Sequence, residues 1–209
     1  MPPSISRYFC LIDNVQILRC TLSINQRDFM KYDKVINRIQ SGNMSRADLV
    51  KLKRNADEKY SKGDSDAKYV IDAINNSTPT DSYILFMGFC PGADFNERLD
   101  TEWKEKGICR FDYHESEHQV ERFNSICKGD LVILKKREQF GKTMKLYGFG
   151  RVSGIAYDND QVRYLEMDWS DQEETIEVPL MGCNSTVDIR TIETVENEMT
   201  EEFYTWLKA

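Results

Sequence analysis

Tyr32, Val35, Ile36 and Ile39 recur at helical spacing until Ser41-Gly42 interrupts them, which predicts a first helix. Ser45 then stands where an N-cap belongs, ahead of a second helix with Leu49, Leu52 and Ala56 on its apolar side. Gly63 ends that segment, and Ser65 precedes a third helix carrying Tyr69, Val70, Ala73 and Ile74. Upstream, residues 7–24 hold two short apolar runs around Asp13-Asn14, which read as a hairpin. The pattern breaks at residues 75–81, Asn-Asn-Ser-Thr-Pro-Thr-Asp, where apolar periodicity stops. Such a polar, turn-rich stretch is expected to be a flexible connection.

Beyond the break the period changes from helix to strand. Residues 83–89 form a continuous apolar run of strand length, and residues 109–113 are a second candidate. Ser116 with Gln119 three positions on is a capping-box signature for a short helix bearing Val120, Phe123 and Ile126. Gly129 closes it and residues 131–136 resume as strand; Gly141 marks a hairpin into 143–153, followed by 162–169 and 175–178. Thr200, Glu201 and Glu202 open a terminal helix whose apolar side is Phe203, Trp206 and Leu207. The fold class expected is α+β: a mainly helical region over 1–78, then a small β-barrel with short helices over 80–209.

Composition supports a packed core, with 40% apolar residues, ten Phe, ten Tyr and three Trp in 209 residues. No apolar run reaches the roughly 18 residues that span a bilayer, and the first thirteen residues show no signal-peptide pattern. A cytoplasmic location without membrane contact is expected. The six cysteines are scattered with no Cys-x-x-Cys pair, so they read as buried reduced thiols and not as a thiolate zinc site. Net charge is −7, unevenly spread: residues 1–76 hold 13 Lys+Arg against 9 Asp+Glu, and the remainder holds 15 against 26. Any polyanion bound by the second part must therefore be held by a local, shaped surface.

Residues 143–153 supply the most informative chemistry. Simple alternation puts Met144, Leu146 and Val152 on one face, with Gly148 and Gly150 between them. It puts Lys145, Tyr147, Phe149 and Arg151 on the other. Two glycines on one face admit another backbone. The opposite face interleaves aromatics and cations, which suits base stacking beside phosphate neutralisation, or a core edge with flanking charges.

The order of motifs extends this. Residues 83–89, Trp103, residues 107–113, Phe123 with Lys128-Gly129-Asp130-Leu-Val-Ile-Leu, Leu146-Tyr-Gly-Phe-Gly150-Arg-Val, and residues 162–169 together resemble EVE domains. These are PUA-superfamily barrels related to YTH domains and similar to the DNA-reading modules of modification-dependent restriction systems. The similarity spans roughly 83–207. It implies an aromatic pocket that receives a modified base flipped out of DNA, with stacking and edge contacts offsetting the few kcal/mol of unpairing. By position, Trp103, Phe111, Tyr113, Tyr147, Phe149 and Trp169 are the aromatic candidates, with Asp112 and Asp168 as edge-readers. Trp103 also suits the apolar side of a short helix after Leu99, and Trp169 shares a strand face with Leu165 and Met167. Lys135, Lys136, Arg137, Lys142, Lys145 and Arg151 are the phosphate candidates, five of them within 135–145.

A competing pattern is His114-Glu115-Ser-Glu-His118, which matches the zinc-hydrolase spacing H-E-x-x-H. Asp112-Tyr113 before it reads as a strand end, so a helix would begin only after His114, and no third ligand is evident. Pro91-Gly-Ala-Asp94 with Glu102-Trp-Lys104 echoes a nuclease pattern, but its halves lie too close. The expectation is recognition of nucleic acid, DNA before RNA, with no catalytic residue, cofactor or metal. The helical region is expected to serve a homodimer or a partner protein.

Overall fold

Two residues set the boundary between the first two described helices: Ser45, whose Oγ accepts the Asp48 N–H at 3.2 Å, and Gly42, whose positive φ of 69° follows the end of the helix before it. The computed structural model describes residues 31–91, 97–112, 116–138 and 141–208. The hairpin expected at residues 7–24 lies outside them. Helices α1 (Asp33–Gln40), α2 (Arg46–Ser61) and α3 (Ala67–Asn75) follow the apolar periodicity and enclose a cluster of Ile39, Met44, Leu49, Ala56, Val70 and Ile74. The connection at 75–81 is tied down, contrary to its flexible composition. Asn75 and Ser77 are buried, the Thr80 N–H donates to the Met44 carbonyl, and Asp81 accepts the Arg46 N–H at 2.7 Å. The first turn of α2 satisfies polar groups that composition alone would leave to water.

The remainder is one sheet with helices on both faces. Its strands are β1 (Tyr83–Gly88), β2 (Ile108–Arg110), β3 (Leu131–Arg137), β4 (Thr143–Tyr157), β5 (Arg163–Trp169), β6 (Ile176–Pro179) and β7 (Val187–Thr191). Helices α4 (Asp100–Lys106) and α5 (Glu117–Asn124) lie between β1 and β3 in the chain, and α6 (Ile192–Glu198) and α7 (Glu201–Trp206) close it. The strand order is β2-β5-β4-β3-β1-β7, with β6 paired to β4. β1 runs parallel to β3 and antiparallel to β7, a mixed arrangement that needs the α4–β2–α5 crossover.

The continuous apolar run of β1 follows from burial on both faces. Leu85 and Met87 join Val132, Leu134 and the α4 and α5 side chains Trp103 and Phe123 on one face. Ile84 and Phe86 join Ile133, Leu146, Phe203 and Trp206 on the other. The barrel expected from sequence is not closed: the path ends at β2 and β7, which do not pair with each other. An interior strand covered by helices on each side makes a layered sheet, and the class is mixed α and β.

One buried side chain joins the helices to this sheet. Arg46, 3% exposed, donates to Asp130 Oδ1 at 2.6 Å and to the Asp81 carbonyl at 3.0 Å, and lies over the Tyr83 ring at 4.1 Å. Asp130, 1% exposed, also accepts the N–H groups of Tyr83 at 2.8 Å and Cys127 at 2.7 Å. Burial pushes the Asp130 carboxyl up, against the pull of Arg46 and those two donors. The Gly129-Asp130 step thus ties together α2, the start of β1, the end of α5 and the entry to β3.

Candidate nucleic-acid interface

The pairing of β4 with β3 shifts register between Leu134 and Lys135. Leu134 pairs with Gly148, Lys135 with Leu146, and Tyr147 is the extra residue. Gly148 takes a φ of 150°, and an added Cβ there would meet Lys104 Nζ at 2.6 Å. The bulge overturns the alternation expected for this strand. Phe149 falls with Met144 and Leu146 against α7, while Val152 and Tyr147 pack with the α4–α5 cluster. Tyr147 and Phe149, expected side by side, lie on opposite faces.

Tyr147 is half-buried and packs edge-on against Phe89, ring centroids 4.9 Å apart. Arg98 lies over both rings, 4.8 Å from Tyr147 and 5.2 Å from Phe89. Two hydrogen bonds to the buried Asp100 carboxylate, at 3.0 and 2.6 Å, hold that guanidinium in place. Lys145 Nζ stands 5.7 Å from the Tyr147 ring, and Lys104 Nζ donates to the Tyr147 carbonyl at 2.9 Å. Lys136 faces Lys145 across the β3–β4 ladder. None of Lys104, Lys136, Arg137, Lys142 and Lys145 has a carboxylate within ion-pair distance among the described residues. In a strongly acidic half of the chain this hairpin gathers cations beside a flat aromatic and guanidinium surface, with Glu138 accepting from the Tyr147 hydroxyl at 3.4 Å and Glu177 opposite Lys145 on β6. The cavity next to it, by Phe89, Cys90 and Lys136, measures only about 80 Å³. What the described residues form is an open platform, not a cage.

The other candidates are dispersed. Trp103 and Phe111 are each 4% exposed and belong to the core, Phe111 packing on Phe123 at 5.9 Å, so neither offers a ring face to a ligand. Trp169 is half-buried and donates its Nε1–H to the Trp103 carbonyl at 3.1 Å. Gly150 makes room for it: an added Cβ would meet the Trp169 ring at 2.7 Å. Phe149 packs edge-on against Trp206 at 5.0 Å on the opposite face. Asp112 is exposed and paired with Arg110, and Asp168 is exposed on β5 beside Arg151. Tyr113 lies outside the described residues.

Among the phosphate candidates, Lys135 must be withdrawn. It is 3% exposed and donates to the carbonyls of Cys183 and Ser185 at 2.7 and 2.6 Å and to Asp188 at 2.8 Å. Its aliphatic stem follows the buried face of β3, and burial pulls its ammonium down despite Asp188. Arg137, Lys142 and Arg151 are exposed, and Arg151 donates to the Gly129 carbonyl at 3.2 Å. Sequence reasoning missed Phe89 and Arg98. Phe89 closes the apolar run, and Arg98 two residues before Asp100 was the available signal.

Cys90 borders the platform. Burial raises its thiol, against the opposing pull of Lys136 and Arg98. Cys109, Cys127 and Cys183 are buried more deeply and all are raised by that burial, Cys183 to about 11. Iodoacetamide at mildly alkaline pH is therefore expected to modify Cys90 well before these three. Peptide mapping by mass spectrometry checks it; equal early labelling of all four would contradict the packing described.

His118 is exposed in the first turn of α5, which begins at Glu117; His114 and Glu115 lie outside the described residues, as does Asp94. Among the described residues no three His, Cys, Asp or Glu side chains gather as a metal site. No described helix is long and apolar enough to cross a membrane. Comparison with protein-family models, with curated proteins and with solved structures finds no significant match to this chain.

Proposed function

We propose that the chain is a nucleic-acid-binding module that reads a modified base in DNA, in the manner the resemblance to EVE and PUA-type domains implies. The observation that carries the proposal is the Tyr147–Phe89–Arg98 platform set within the unpaired cations of the β3–β4 hairpin. A flipped base stacks on the exposed part of Tyr147 and the Arg98 plane, while Lys136, Arg137, Lys142 and Lys145 take the flanking phosphates. A role beside a nuclease in a restriction or defence system follows from the same resemblance.

The test is a titration with duplexes that are unmodified or carry methylated or hydroxymethylated bases, at fixed moderate salt. Tighter binding to one modified duplex supports the proposal; equal, weak affinities for all would sink it. Tyr147→Ala is expected to cost about 1–3 kcal/mol, the worth of one base stack, and to erase the preference. Lys142→Ala or Lys145→Ala is expected to weaken every duplex alike and to lower the salt slope by about one.

A further inference from the structure

A cleft of about 850 Å³ opens between α2, α5 and the turn from β4 to β5. Ten residues along β4 from Tyr147, it is roughly 30 Å from the platform at about 3.3 Å per residue. Its apolar wall includes Val50, Val120 and Val162, with Tyr157 at the edge. Val50 and Tyr157 are 49% and 38% exposed, large apolar side chains left in water where this cleft opens.

Three cations line the same space: Lys53, Arg54 and Arg163. Lys53 Nζ donates to the Tyr157 hydroxyl at 3.4 Å. Arg163 spends two donors on the carbonyls of Phe123 and Ile126, at 2.8 and 2.6 Å, yet its buried Nε has no partner. Neither Arg54 nor Arg163 has a carboxylate within ion-pair distance among the described residues, and Lys53 reaches only the exposed Asp57 at 3.7 Å. A half-buried guanidinium whose hydrogen bonds go to neutral carbonyls keeps its charge unmet, and an anionic ligand beside it offsets part of that cost.

The turn that completes the cleft is built rigidly. Asp158 accepts the N–H groups of Asp160 and Val162 at 3.0 and 2.9 Å and pairs with Arg110 at 2.8 Å. Gln161 is held at a φ of 62°, a conformation non-glycine residues seldom take. The volume lies in the range of small-molecule sites, with an apolar wall and few convergent polar groups.

We infer that this cleft binds a mononucleotide, its heteroaromatic ring on Tyr157 and the valine wall and its phosphate among Lys53, Arg54 and Arg163. A bare anion has no use for the apolar wall, and a neutral ring leaves the cations unmet. Asp57 and Glu121, also in the lining, suit the sugar hydroxyls. The nucleotide is either free or part of a single strand.

The test is calorimetric titration of the full chain with AMP, adenosine, inorganic phosphate and a short adenine single strand. AMP is expected to bind, with adenosine and phosphate each about tenfold weaker or worse. Tyr157→Ala and Lys53→Ala should each weaken AMP about tenfold, whereas Tyr69→Ala, another exposed tyrosine, should leave it unchanged. Competition between the strand and AMP would support the site and name a strand as its source; absence of competition would support it and name the free nucleotide. No AMP binding at millimolar concentration, adenosine or phosphate matching AMP, or full affinity in Tyr157→Ala would overturn the inference.

Discussion

Asp130→Ala is expected to lower the unfolding free energy by about 3–5 kcal/mol, the loss incurred when one partner of a buried ion pair is removed. Three consequences combine at this position. Arg46 keeps its charge in a site where its side chain is 4% exposed. The N–H groups of Tyr83 and Cys127 lose their acceptor, and the start of β1 loses its register with the end of α5. Urea unfolding followed by fluorescence checks the size. Arg46→Met combined with Asp130→Ala should recover part of the loss, because no charge is then stranded. A cost below about 1 kcal/mol for Asp130→Ala would show that the α2 helix does not depend on this pair.

Lys135→Met is expected to be the second large loss, again about 3–5 kcal/mol, and to leave the salt dependence of DNA binding where it was. The ammonium joins β3 to the chain between β6 and β7 through two carbonyls and to Asp188, which also accepts the Ser185 N–H at 2.8 Å. Methionine fills the space of the stem but leaves Asp188 with only the longer contact to Arg122, at 3.5 Å, in place of its buried ammonium. Pairing Lys135→Met with Asp188→Leu should restore part of the stability. Lys142→Ala, on the exposed end of the same hairpin, should stay within about 0.5 kcal/mol of the parent in stability. If Lys135→Met kept its melting temperature and lost DNA binding selectively, the buried position assigned to this lysine would be wrong.

These two residues also mark where the sequence stops being readable. Helices α1 and α2 and strands β1, β3 and β5 are legible because their apolar positions carry a period, and Ser45 caps as its position implies. Lys135 hides because charge type says surface, whereas its burial depends on two carbonyls and a carboxylate some fifty residues later. Gln119 looks like half of a capping box, but its Oε1 accepts the Val187 N–H at 3.0 Å, and Ser116 makes no capping bond. A local signal was outcompeted by a backbone N–H of a buried strand residue far away. β7 and α6 carry no readable period, since Val187–Thr191 is short and half polar, and its burial comes from lying beside β1 and under α5. At the site, the cations of the hairpin were legible as a cluster. The separation of Tyr147 from Phe149 was not, because a single bulge after Leu146 moves Phe149 to the opposite face.

The position of β1 carries a consequence for synthesis and folding. Its two neighbours, β3 and β7, begin at Leu131 and Val187, so this interior strand of the sheet is translated long before either can pair with it. Until Val187 leaves the ribosome, Ile84–Met87 presents an apolar ribbon with one unpaired backbone edge, the feature that promotes association between nascent chains. Contacts this distant close slowly, and the second edge of β1 is covered only once β7 has been made. Truncation ahead of β7 takes Val195, Phe203 and Trp206 from one face of β1 as well, and leaves that strand paired along one edge only.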